Sequence, residues 1–329
     1  MKAFKIFRIL ILPALLIISA CAYHPRIPAE IPNTLYSADG GGDEILNRYA
    51  PLLVAHGYSA VYNRIGRPAA RYDNQGNEQI YIDSENPVIY YLKQNFSTKK
   101  GSYTNLIYRV HFSKVPFSLI PFHLTAGINV GLMVVITLDS RAKPVLVTTV
   151  HTCGCYLAIV STSFLPRDAL PLNRPEKPVR VYGEKLPWQL DYSSRDNPGL
   201  LIHLRPAVHR VMDLEIVAAA ELQDLRRFTI IKMPLKPVRE LEQIPVGQGF
   251  TSFYYQKGLL KGHVKGSVKF WESILLSLPS LDFFIGTDKV YGDRQETGNP
   301  FYTSLKPWNR NASDMGNFAR FLEFWGWRL

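Results

Sequence analysis

A chain of 329 residues holds enough sequence for one large domain or two small ones. With 47% hydrophobic and 20% charged residues it can bury a sizeable core, which excludes an intrinsically disordered protein. The formal charge of +11 points toward anionic partners.

Lys2, Lys5 and Arg8 form a basic start, Ile9 to Ile18 is almost wholly apolar, and Ser19-Ala20 lead into Cys21. The apolar run is about half of the roughly 20 residues that a bilayer requires, so residues 1–20 read as a secretory signal peptide. Ile18-Ser19-Ala20-Cys21 resembles the lipobox of bacterial lipoproteins. That resemblance implies cleavage before Cys21, diacylation of its thiol, and a place in the cell envelope with the membrane as partner. Ala22 stands where an Asp usually marks retention at the inner membrane, so an outer membrane is implied if the host has one. No later segment carries 18 uncharged apolar residues in a row, and a second crossing is not expected. The leader holds three of the positive charges, leaving about +8 on the rest. Behind a lipid anchor the abundant anions are lipid headgroups and lipopolysaccharide, not nucleic acid.

Residues 21–43 read as a lipidated terminus and tether, with Pro25, Pro28, Pro32 and the run Gly40-Gly41-Gly42 as breakers. A single β-rich domain is expected over residues 44–329. Asp43 is placed to cap a short helix that Pro51 stops. Strand signals follow at Gln79 to Asp83, Pro87 to Phe96 and Thr104 to Phe112, the last alternating in polarity. Val130 to Leu138 and Val145 to Val160 are apolar on both faces, as buried central strands are, and Asp139 to Pro144 joins them as a hairpin. A Pro-rich loop spans Pro166 to Pro187, with shorter strands at Val179 to Tyr182, Leu200 to Arg205, Val211 to Val217 and Phe250 to Tyr255. Helical patterning returns in Phe270 to Ile285, kinked at Pro279, and in Ser313 to Trp325 with Ser313 as N-cap. The fold class is therefore mainly β (α+β), with an antiparallel β-sandwich-like core and helices toward the C-terminus. The order strand, hairpin, then His151 resembles the β-sandwich of necrosis-inducing secreted proteins and the Vps62-like family. That family's His-Asp-Trp-Glu run is replaced here by Gly127-Ile128-Asn129-Val130-Gly131, so the likeness implies a sandwich and no activity.

The densest chemistry lies in His151-Thr152-Cys153-Gly154-Cys155. On an extended strand the three donor side chains share a face. They would suit Zn or Cu, with a fourth ligand from His111, His123, His203 or His209 and a bend at Gly154. A labile Cys153–Cys155 disulfide is a second reading, and two small core thiols beside a hydrogen-bonded His151 are a third. Next, Lys257, Lys261, Lys265 and Lys269 recur every four residues and run into Phe270 and Trp271. Aligned cations beside an apolar segment describe a contact with an anionic membrane surface, or a protected sheet edge followed by a core helix. Leu52 to Ser59, with His56-Gly57, looks like the oxyanion loop of α/β-hydrolases, but Gly-x-Ser-x-Gly is absent. With no complete catalytic motif, the leading expectation is a lipid-anchored envelope protein that binds or scaffolds at an anionic surface. The alternative is a metal-binding or thiol-redox protein built on His151, Cys153 and Cys155.

Overall fold

Strands make up 41% of the described residues and helix 15%, the mainly β, sandwich-like α+β class expected from the sequence. The computed structural model describes residues 33–40, 43–172, 176–218, 221 and 228–329; the segment expected to be a signal peptide and the expected lipidation site Cys21 lie outside them.

The strands in chain order are β1 Asn33–Ala38, β2 Leu52–His56, β3 Ile65–Tyr72, β4 Glu78–Asp83, β5 Ile89–Thr98, β6 Gly101–Val115, β7 Gly127–Leu138, β8 Pro144–His151 and β9 Ala158–Thr162. The later ones are β10 Val179–Val181, β11 Glu184–Leu186, β12 Gln189–Leu190, β13 Gly199–Leu204, β14 Val211–Val217, β15 Thr229–Met233, β16 Leu235–Pro237, β17 Ile244–Val246 and β18 Gly249–Thr251. A five-stranded sheet runs β14-β13-β2-β1-β15, and a larger one runs β12-β9-β8-β7-β6-β3-β4 with β5 and β16 alongside. Tyr36, Leu53 and Ala55 of the small sheet pack into one core with Tyr108, Val110, Phe112 and Val134 of the large sheet. The opposite face of the large sheet carries Ile107, Met133, Val135 and Val145, covered by Phe318, Phe321 and Leu322 near the C-terminus. Covered on both sides, β8 is buried along its whole length and β7 along all but its first two residues. This explains why neither strand alternates in polarity.

Local chemistry places the turns. The Asp139 carboxylate accepts from the backbone N–H groups of Arg141 and Lys143 and closes the β7–β8 hairpin. Asp43 accepts from Ile45 N–H and starts helix α1, Glu44–Arg48. Helices α2 (Phe270–Ser280), α3 (Arg294–Thr297) and α4 (Phe318–Phe324) gather toward the C-terminus.

Three expectations need correction. The expected tether holds part of the fold: Asn33–Ala38 is a strand between β2 and β15, so the folded domain includes residues before 44. The run Val145 to Val160 is two strands, because Gly154 turns the chain at φ 91°. His151 N–H donates to Cys155 O and Gly154 N–H to His151 O, at 2.9 and 2.8 Å. Finally, the last helix is capped by Asn317, whose side chain accepts from Arg320 N–H, while Ser313 accepts from Ser304 N–H in a loop.

One end of the sandwich collects the segments of interest. Antiparallel pairing sets Asn33 opposite His56, and β13 runs parallel to β2 into the loop 205–209 at that same end. There the His209 ring stacks on Phe112, 4.1 Å between centres, close to the end of β6. The loop 116–122, the turn after β8 and the entry of the chain at Asn33 therefore share this end.

Candidate functional site

Beyond His151 the chain curls so that Cys153 is buried, Cys155 is half-buried and both thiols are free. The curl needs glycine: a Cβ on Gly154 would lie 2.1 Å from Tyr302 O. The His151 ring stands edge-on to Tyr156 at 4.8 Å. Burial, then the charge of Lys269, pulls its imidazole down to about 3, and burial brings His209 equally low.

The zinc or copper set does not assemble. Among the described residues no three His, Cys, Asp or Glu side chains come together to hold an ion. The proposed fourth ligands are engaged elsewhere. His111 Nε2 lies 3.1 Å from Arg109 Nε, His123 Nδ1 lies 2.8 Å from Pro116 O, and His203 Nδ1 lies 3.1 Å from His56 Nε2. His209 is stacked on Phe112. Spacing along a strand predicted convergence, and the strand is a turn.

Under this turn lies a buried ionic cluster. Asp288 accepts from the hydroxyls of Thr152 and Ser267 and from Gly131 N–H, and pairs with Lys269 at 3.2 Å, both side chains 1% exposed. Burial alone would raise the Asp288 carboxyl, but Lys269 and the two hydroxyls hold it below its ordinary value. Lys289 donates to Cys153 O at 3.1 Å and stands 4.1 Å over the Tyr302 ring. Arg109 donates to Lys289 O at 2.8 Å. Lys269 thus has Asp288 as its counter-charge, while Lys289 and Arg109 are held by carbonyl oxygens.

Against the same turn, Cys155 Sγ donates to Glu272 Oε1 at 3.2 Å. The neighbouring Cys153, together with burial, holds the Cys155 thiol well above its ordinary value. Both residues line a cavity of about 210 Å³, walled also by Tyr156, Leu276, Ile285 and Tyr302. Glu272 escaped the sequence reading because it stands 117 residues from Cys155 on a helix that looked apolar.

The chain matches no protein-family model, no curated protein and no solved structure. Its function has to be read from the geometry of the chain itself.

The four lysines do not form a stripe. Gly258, Gly262 and Gly266 each have φ between 74° and 79°, so the period of four is a succession of left-handed turns, neither helix nor edge strand. Lys257 and Lys261 are exposed. Lys265 turns to Glu78 at 2.7 Å and to Thr251 at 2.8 Å, and Lys269 is buried on Asp288. Two of the four are taken up by acids of the chain itself, and Lys269 is out of reach of an outside surface.

The exposed feature at this end is apolar instead. Trp271 of α2 packs with Phe117 and Phe122, at 6.1 and 5.9 Å between ring centres, and so joins the helix to the loop 116–122. Around this joint Ile120 is 91% exposed, Phe283 85% and Leu278 80%, and Leu119, Phe270 and Leu281 are exposed as well. The two acids of the segment face inward: Glu272 is buried, and Asp282 accepts from the Tyr302 hydroxyl. A sequence signal existed in Pro116-Phe117-Ser118-Leu119-Ile120-Pro121-Phe122, a loop too apolar for solvent.

The hydrolase-like His56 holds only another histidine. His203 lies in turn 3.3 Å from Glu215, and burial followed by His203 pulls His56 down to about 4.

Proposed function

We propose that this chain is a lipid-anchored protein of the cell envelope whose folded domain rests against the membrane through α2 and the loop 116–122. The carrying observation is the set of exposed apolar side chains on α2 and the loop 116–122, joined through Trp271 and Phe117 at the end of the sandwich that also holds Asn33. Aromatic and aliphatic side chains projecting without exposed acids form a surface suited to the boundary of headgroups and acyl chains. Between Cys21 and Asn33 the chain reaches at most about 40 Å when extended. A lipid on Cys21 would therefore keep this end of the domain within touching distance of its own membrane. The role is binding or scaffolding at that surface, and an outer membrane is the expected site in a host that has one.

Attraction to anionic lipid has a smaller part than the lysine spacing implied, because Lys265 pairs with Glu78 and Lys269 with the buried Asp288. Lys257 and Lys261 remain outside, and each adds at most about 1 kcal/mol near an anionic surface.

Two experiments test this reading. Radiolabelled fatty acid should enter the wild type and not Cys21→Ser; equal labelling would remove the lipid anchor. The unlipidated Cys21→Ser protein should sediment with neutral phosphatidylcholine vesicles, and Leu278→Asp combined with Phe283→Asp should leave it in the supernatant. Sedimentation that ignores these two substitutions would remove the membrane face.

A further inference from the structure

We infer that the cavity beneath the cysteine turn is a reactive ligand site. In it, Cys155 attacks a small neutral electrophile and Glu272 takes the thiol proton. This inference stands apart from the membrane reading and does not need it.

Three observations converge on the cavity. Its wall holds a thiol in hydrogen-bond contact with a carboxylate, Cys155 Sγ to Glu272 Oε1 at 3.2 Å, the arrangement of a nucleophile beside its base. Glu272 is only 3% exposed, and its second oxygen, Oε2, has no hydrogen-bond partner among the described residues. A buried carboxylate oxygen without a donor is costly, and a donor supplied by a ligand relieves that cost. Gly286 lines the same cavity, and a Cβ there would lie 2.4 Å from Oε2, so only glycine leaves room for the carboxylate at this wall.

The same geometry limits the ligand. A space of about 210 Å³ is smaller than the 300–1,000 Å³ typical of sites for drug-sized molecules. Leu276 and Ile285 in the wall disfavour an ion, and the neighbouring cations Lys269 and Lys289 already have partners. The class that fits is a small uncharged compound presenting an N–H or O–H to Oε2 and an electrophilic carbon to Sγ. A bond forms between Sγ and that carbon, and the leaving group departs with the bonding pair. The thiol proton passes to Oε1 and on to the leaving group or solvent. Because Cys153 and burial keep the Cys155 thiol protonated, removal of that proton has to accompany attack. Cys153 is 3% exposed, and its backbone carbonyl is held by Lys289, so it is the less accessible of the two thiols.

Iodoacetamide is a suitable probe, since it carries an electrophilic carbon, a departing iodide and an amide N–H in a small neutral frame. Intact folded protein should be labelled at Cys155 and not at Cys153, as read by peptide mass spectrometry. The rate should level off with rising reagent, as expected when binding precedes attack. Glu272→Gln, which keeps the shape and removes the base, should slow labelling about 100-fold or more. Leu276→Phe narrows the cavity without touching the carboxylate, and should slow labelling and abolish the levelling-off. It carries the test alone if Glu272→Gln does not fold. An unchanged rate in either folded variant overturns the inference. So does labelling that rises linearly with reagent, or labelling that requires denaturant.

Discussion

Residues 257–269 and 270–284 adjoin in the chain and invert each other's expected behaviour. The basic segment sends Lys265 to Glu78 and buries Lys269 on Asp288, while the apolar segment leaves Phe270, Leu278 and Phe283 in the open. Composition describes what a segment could bury; the partners that the fold supplies decide which side chains go inside. Lys269 is covered because Asp288, Thr152 and Ser267 form a ready-made site around one carboxylate. Phe283 stays out because no element of the described chain covers it, and a membrane is the cover proposed above.

Breaking the buried half of this contrast should have the largest effect. Lys269→Ala leaves Asp288 charged and unpaired in the interior and should cost about 3–5 kcal/mol in denaturant unfolding. Lys257→Ala, at an exposed position of the same run, should stay within about 0.5 kcal/mol. Equal losses from both would erase the distinction between inward and outward lysines.

The exposed half responds in binding rather than stability. Leu278→Asp removes one outward apolar side chain, worth about 1.5–3 kcal/mol when it enters an apolar phase. Vesicle affinity should fall by roughly tenfold to a hundredfold, with the unfolding midpoint unmoved. A lowered midpoint with unchanged affinity would assign Leu278 to the core.

Acid should weaken the fold through two buried histidines, His151 beside the ionic cluster and His209 stacked on Phe112. His151 and His209 are both pulled down to about 3, whereas an unfolded chain protonates near 6.5. Above the unfolded value both states are neutral and stability is at its full value. As pH falls from there toward the folded value, the unfolded state gains protons that the folded state refuses, and stability is lost. At pH 5 each histidine should account for about 2 kcal/mol. The slope of stability with pH in this window should flatten in His209→Gln, and an unaltered slope would mean that His209 titrates freely in the folded protein. The smallest effect belongs to the exposed lysines. Replacing Lys257 and Lys261 with Gln should change binding to anionic vesicles by at most about 1 kcal/mol each and should leave neutral vesicles unaffected.

The large sheet was legible because its signals are local. Asp139 closes a hairpin between strands that are apolar on both faces, and Asp43 caps a helix that Pro51 stops. Asn33–Ala38 was hidden because a short strand gains its place from partners elsewhere: it lies parallel to Thr229–Met233, nearly two hundred residues away. His151, Cys153 and Cys155 suggested convergence on an ion only as long as they lay on one strand, and the left-handed Gly154 turns the chain out of that strand. Glu272 and Asp288, which give that turn its chemistry, lie far along the chain and carry no motif.

The membrane face is tested most directly by lipid-borne quenching of Trp271. Cys21→Ser protein bound to vesicles containing brominated acyl chains should lose tryptophan fluorescence, and Trp271→Phe should abolish most of that loss despite the four other tryptophans. Quenching that persists undiminished in Trp271→Phe, or no quenching by brominated lipid at all, would contradict the assignment of α2 and the loop 116–122 to the membrane.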